Sequence, residues 1–105
     1  MKIFIVEDDL VIAESLANEL SKWNYEVHVV DNFEKIMEDF RRVEPQLVLL
    51  DINLPTLNGF HWCQEIRKVS RVPIMFISSR TDNMDQILAI QMGGDDFIEK
   101  PFNLS

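Results

Sequence analysis

Carboxylates at Glu7, Asp8 and Asp9, a lone Asp51, hydroxyls at Ser78 and Ser79 and an ammonium at Lys100 share one property: each group follows on an apolar run, Lys100 with Glu99 between. The runs are residues 3–6, 47–50, 74–77 and the shorter 97–98. Short apolar runs without alternation suit strands buried on both faces of a parallel sheet. Parallel strands bring their carboxyl ends to one edge, and ligands bind at that edge where the strand order reverses. The chain therefore gathers carboxylates, a hydroxyl and an ammonium in one place. Crowded carboxylates repel one another unless a cation shares the site, so a divalent metal is implied. Oxygen donors without a Cys/His cluster favour Mg²⁺, with Mn²⁺ an alternative, over zinc. Lys100 fits such a site if an anion such as a phosphoryl group lies between it and the metal, and Ser78 can donate to the same oxygens. Any one of these residues alone is more often a helix cap or a solvated strand end. Four groups at the same kind of position point to a site.

The intervening segments carry helical periods. Phe33, Ile36, Met37, Phe40 and Val43 recur at helical spacing, as do Ala13, Leu16, Ala17 and Leu20. Asp9 stands where an N-cap would start the first helix, and Asn24 where a left-handed residue would end it. Residues 25–30 alternate more than the other runs, which predicts an edge strand. Gly59 opens a third helix bearing Trp62, Cys63, Ile66 and Val69, and a fourth is expected over 82–92 before Gly93-Gly94. Strands and helices thus alternate β-α-β-α-β-α-β-α-β in a doubly wound α/β domain.

At 105 residues and 47% hydrophobic content the chain makes one domain with a single core. A net charge of −8 argues against direct contact with nucleic acid, which takes a basic surface. The first apolar run is too short and too soon acidic for a signal peptide or membrane span, so a cytoplasmic location without membrane contact is expected. A single cysteine, Cys63, excludes an internal disulfide and fits a small buried hydrophobe on the third helix. His28 and His61 have no second ligand at metal spacing and are expected at the surface. Trp23 is expected to pack at a helix end and Trp62 in the core. Met84, Leu88 and Met92 form a stripe on the fourth helix that serves either the core or a partner.

Four segments, IVEDD at 5–9, LDINLPTLNG at 50–59, PIMFISSR at 73–80 and GGDDFIEKPF at 93–102, resemble the receiver domain of bacterial two-component response regulators. The similarity is greatest to receivers of the winged-helix transcription-factor subfamily and covers nearly the whole chain. It implies a five-stranded parallel sheet in the order 2-1-3-4-5. It also implies that Asp51 accepts a phosphoryl group from a sensor histidine kinase, with Mg²⁺ held by Glu7, Asp8, Asp51 and the backbone carbonyl of Asn53. On the same basis Ser78 and Lys100 contact the phosphoryl group and Ser78 and Phe97 form the switch. Pro55, Gly59 and Pro101 shape the loops, the last through a cis peptide bond after Lys100. The implied activity is signalling: the domain catalyses only its own phosphorylation and slow dephosphorylation, and dimerises on activation.

Departures from the family pattern are informative. Phe97 stands where Tyr is usual, so ring burial must serve without a phenolic hydroxyl. On the expected dimer face of Met84, Leu88, Met92, Asp95 and Asp96, Leu88 replaces a frequent basic residue and Gln91 a frequent Glu, whereas Asp95 and Asp96 are kept. The segment 102–105 falls where a fifth helix would begin, so the domain over 1–105 is expected to lack that helix, with a DNA-binding domain expected downstream. A stand-alone or phosphorelay receiver is the alternative. A phosphatase of the haloacid dehalogenase type is disfavoured because Asp51-Ile52-Asn53 lacks the second Asp used as general acid. A flavin module is disfavoured because Glu7, Asp8 and Asp9 repel a ligand phosphate.

Overall fold

The computed structural model describes residues 1–55, 57–78 and 96–99, with residues 78 and 96–99 described for their backbone. Five strands, β1 (Lys2–Val6), β2 (Glu26–Val29), β3 (Leu47–Asp51), β4 (Ile74–Ser78) and β5 (Asp96–Glu99), alternate with helices α1 (Leu10–Ser21), α2 (Ile36–Val43) and α3 (Gly59–Arg67). All strand pairs are parallel and their order is β2-β1-β3-β4-β5. The apolar strand runs follow from this arrangement, since alternate residues of each strand enter opposite cores. Ile3, Ile5, Leu49 and Ile77 pack with Ala13 and Leu16 of α1. Phe4, Val6, Val48, Leu50, Ile74 and Phe76 pack with Ile36 and Phe40 of α2 and Phe60, Cys63 and Ile66 of α3. Burying each large apolar side chain contributes about 1.5–3 kcal/mol, so the two layers together fix the sheet.

Local chemistry sets the helix ends. The Asp9 carboxylate accepts hydrogen bonds from the Val11 and Ile12 amides at 3.0 and 3.4 Å, as expected of the N-cap. Asn24 takes a left-handed φ of 66° just past α1, and Glu44 one of 52° at the end of α2. Such a conformation is costly for a side chain other than Gly or Asn, yet at Glu44 it turns the chain directly into β3. In α2, Glu38 and Asp39 occupy the first turn and Arg41 and Arg42 the last, the distribution that the helix dipole favours. At the end of α3, the Glu65 carboxyl is held below the usual carboxylate range, first by a hydrogen bond from Lys68.

Several expectations change. The second strand is shorter than 25–30, and its alternation is blurred because Val27, His28 and Val29 are all half-buried. Phe33 precedes α2 rather than riding on it, although it packs on the same core. Val69 lies beyond α3 and is exposed. Trp23, in the turn after α1, is 72% exposed rather than packed. His28 is half-buried rather than fully exposed: its ring stacks on Phe4 with centroids 5.6 Å apart and planes 8° from parallel. His61 is half-buried and meets Trp62 edge to face at 4.8 Å. Cys63 is fully buried, as expected. The expected fourth helix over 82–92, with Met84, Leu88, Gln91 and Met92, lies outside the described residues, as does Asp95.

Candidate functional site

The chain reverses its direction of travel across the sheet between β1 and β3: β2 lies on one side of β1, and β3, β4 and β5 follow in turn on the other. That is the topological position where a ligand crevice forms at the carboxyl ends of the strands. Val6 pairs with Leu50, so Glu7 and Asp51 come level one step further along adjacent strands. One carboxylate oxygen each from Glu7, Asp8 and Asp51 lies within 4.8 Å of the others. Glu7 is 1% and Asp51 2% exposed, whereas Asp8 faces solvent. The site is therefore a half-sunken acidic cup, two carboxylates in its floor and one at its rim.

Burying two carboxylates side by side is expensive unless a cation offsets their charge. The donor set fits Mg²⁺: hard oxygen atoms, few enough to leave much of an octahedral shell to water and substrate, and open on the Asp8 side. Carboxylates spread over about this span converge on one small cation with little adjustment. Two of them come from the interior end of a rigid sheet, so the cup is preorganised rather than assembled on binding.

The loop after β3 completes the floor. The amide of Asn53 donates to Asp51 Oδ1 at 3.3 Å, and Asn53 itself is exposed. Ile52, buried at 1%, donates from its amide to the Ile77 carbonyl at 3.1 Å and accepts at its own carbonyl from the Gly59 amide at 2.8 Å. The start of α3 is thereby drawn against the end of β3. A Cβ on residue 59 would lie 2.2 Å from the Asp51 carbonyl oxygen, closer than any packing allows. Gly59 is needed for that close approach rather than for a turn. Asn58, whose side chain accepts from the His61 amide at 3.1 Å, caps the helix. Pro55 lies on the outer side of this loop, beside a cavity of about 640 Å³ shared with Asp31, Asn32, Phe33, Glu34, Lys35 and Asp39.

The structure brings Glu7, Asp8 and Asp51 together and sets Asn53 and Gly59 around them. On the far side, Asp51 pairs with Ile77 and Ser78 with Glu99, so the Ser78 backbone lies one step beyond the level of Asp51 on the neighbouring strand. The backbone of Phe97 is placed on β5 opposite Phe76, and Asp96 opposite Met75. Ser79, Lys100 and Pro101 lie outside the described residues. Ile52 and Asn58 were not among the residues expected to matter. Asn ahead of Gly59 is a cap signal that the sequence offered, whereas the role of Ile52 as a backbone splice has no side-chain signature.

A family model described as "Response regulator receiver domain" matches residues 3–105. The chain is 48% identical over 102 residues to the sensory transduction protein BceR of Halalkalibacterium halodurans, covering 97% of this chain and 44% of that protein. It is 50% identical over 103 residues to the uncharacterized transcriptional regulatory protein YvcP of Bacillus subtilis, covering 98% of this chain and 44% of the other. It thus spans less than half the length of these curated relatives. Among solved structures, the N-terminal domain of the nisin resistance regulator NsrR superposes with a TM-score of 0.89 at 50% identity, over 98% of this chain and 87% of that one.

Proposed function

The chain belongs to the response regulator receiver domain family, and from that premise we propose that Asp51 is its phosphoacceptor. A carboxylate oxygen of Asp51 attacks the phosphorus of a phosphohistidine on a sensor kinase. The P–O bond forms as the P–N bond breaks, and the freed imidazole nitrogen takes up a proton, leaving an acyl phosphate on Asp51. The observation that carries this reading is the placement of Asp51, buried in the floor of the cup and level with Glu7 at the end of the central strand.

The remaining roles are carried over from the family resemblance. Glu7 and Asp8, with Asp51 and the Asn53 carbonyl, are the groups that would hold Mg²⁺. When bound, the ion supplies positive charge against the oxygens of the transferring phosphoryl group. Burial in the sheet edge excludes water from one side of Asp51, and the Asn53 amide steadies Oδ1. Ser78 and Lys100 are read as the groups that receive the phosphoryl oxygens, and Ser78 and Phe97 as the pair through which phosphorylation shifts an existing equilibrium of conformations. Pro101 is read as shaping the loop behind Lys100. The output we infer is control of a DNA-binding domain beyond residue 105, with dimerisation through the face of Met84, Leu88, Met92, Asp95 and Asp96. The −8 charge of this segment leaves DNA contact to that other domain.

Incubation with acetyl phosphate and Mg²⁺ tests the assignment. One phosphoryl group labile to hydroxylamine is expected on the parent and none on Asp51→Asn. Equal labelling of the variant would reject Asp51 as the acceptor.

A further inference from the structure

The loop that carries α3 onto the end of β3 contains a dipeptide whose own chemistry phosphotransfer does not use. Asn58 is exposed, Gly59 after it is buried, and every other asparagine of the chain precedes a larger residue. The side-chain carboxamide of asparagine is open to attack by the amide nitrogen of the next residue. Glycine obstructs that approach least, because it has no side chain and the freest backbone. We propose that Asn58-Gly59 is a site of spontaneous deamidation that the fold holds in check, and that its isoaspartyl product breaks the junction between α3 and β3.

The reaction needs no co-reactant but water. Base removes the proton of the Gly59 amide, the nitrogen bonds to Cγ of Asn58, and the Cγ–Nδ2 bond breaks as ammonia leaves with a proton, closing a cyclic imide. Water then opens the ring. Addition at Cγ leaves aspartate, whereas addition at the main-chain carbonyl leaves isoaspartate, in which the backbone runs through Cβ and Cγ and is longer by one atom.

Two contacts oppose the attack in the folded chain. The Gly59 amide donates to the Ile52 carbonyl at 2.8 Å, so its proton is held by a backbone oxygen. Oδ1 of Asn58 accepts from the His61 amide at 3.1 Å as the N-cap of α3, which fixes the carboxamide along the helix. Both must let go before Cγ is reached, so the rate follows how often this loop opens. The two products then differ in effect. The aspartyl product keeps a capping oxygen and adds the negative charge that a helix N-terminus favours. The isoaspartyl product inserts an atom immediately before Gly59, where even a Cβ would lie 2.2 Å from the Asp51 carbonyl oxygen, and the junction has no slack to absorb it. The inference is independent of the phosphoacceptor assignment, because no group of the acidic cup reacts.

The test incubates folded and urea-unfolded chain at mildly alkaline pH and follows each asparagine by peptide mapping that separates aspartyl from isoaspartyl products. In the folded chain Asn58 is expected to react before any other asparagine, yet about tenfold or more slowly than in the unfolded chain. Asn58→Ser, which keeps a capping oxygen without a carboxamide, should release less ammonia than the parent. The isoaspartyl fraction should unfold at lower urea than the parent, whereas Asn58→Asp, which carries the charge on a backbone of normal length, should not. Equal rates in folded and unfolded chain, reaction of another asparagine ahead of Asn58, or an isoaspartyl fraction as stable as Asn58→Asp overturns the proposal.

Discussion

Gly59 shows how a residue without functional groups can govern a chemical site. Its missing side chain lets α3 close on the Asp51 carbonyl, and through Ile52 the same contact ties β3 to β4. Gly59→Ala must push helix and strand apart. A loss of about 1–3 kcal/mol in urea unfolding is expected, with slower labelling by acetyl phosphate because the Asp51 carboxylate moves with its backbone. Full stability with an unchanged labelling rate would show that the contact is slack. The acidic residues were readable from sequence because charge directly after an apolar run marks where a buried strand reaches the edge of its sheet. The contact at Gly59 was not, because a glycine records only that something was left out. His28 misled for a related reason. Its neighbours in sequence say nothing of Phe4, which reaches it only through strand pairing.

At the scale of elements, the strands were the more legible because burial on both faces writes itself as an unbroken apolar run. Helix boundaries were harder. Phe33 and Val69 continue the apolar period of α2 and α3 past their ends, since a residue in an adjoining turn can carry on the same spacing whether it packs on the core, as Phe33 does, or stays exposed, as Val69 does. The caps decide where the helices begin, and they are testable. Asp9→Ala and Asn58→Ala should each cost about 1 kcal/mol of stability, read from the urea midpoint at constant slope. The two sites differ in their further effect. Asp9 lies next to Asp8, and Asn58 orients the helix that abuts Asp51, so Asn58→Ala is also expected to slow phosphorylation when both variants are assayed at full folding. Equal rates for Asn58→Ala and the parent would separate the cap from the site.

For the molecule as a whole, the acidic cup concentrates negative charge in a chain already at −8. Mg²⁺ at millimolar concentration should therefore raise the melting temperature of the parent by a few degrees, because a ligand bound only by the folded state stabilises it. Asp8→Ala should remove most of that rise while melting at least as high as the parent without metal, since it relieves repulsion at the rim. An undiminished Mg²⁺ effect in the variant would place the cation elsewhere. The strand order has a consequence for how the molecule can be built. As the chain leaves the ribosome, β2 adds beside β1, β3 takes the free edge of β1, β4 the free edge of β3, and β5 the free edge of β4. Every strand docks at a border that is still open when it arrives, and none has to be threaded between two that are already joined. A parallel sheet, whose pairings all span long stretches of chain, can then grow in the order of its synthesis, and the acidic cup is complete once Asp51 has docked beside β1.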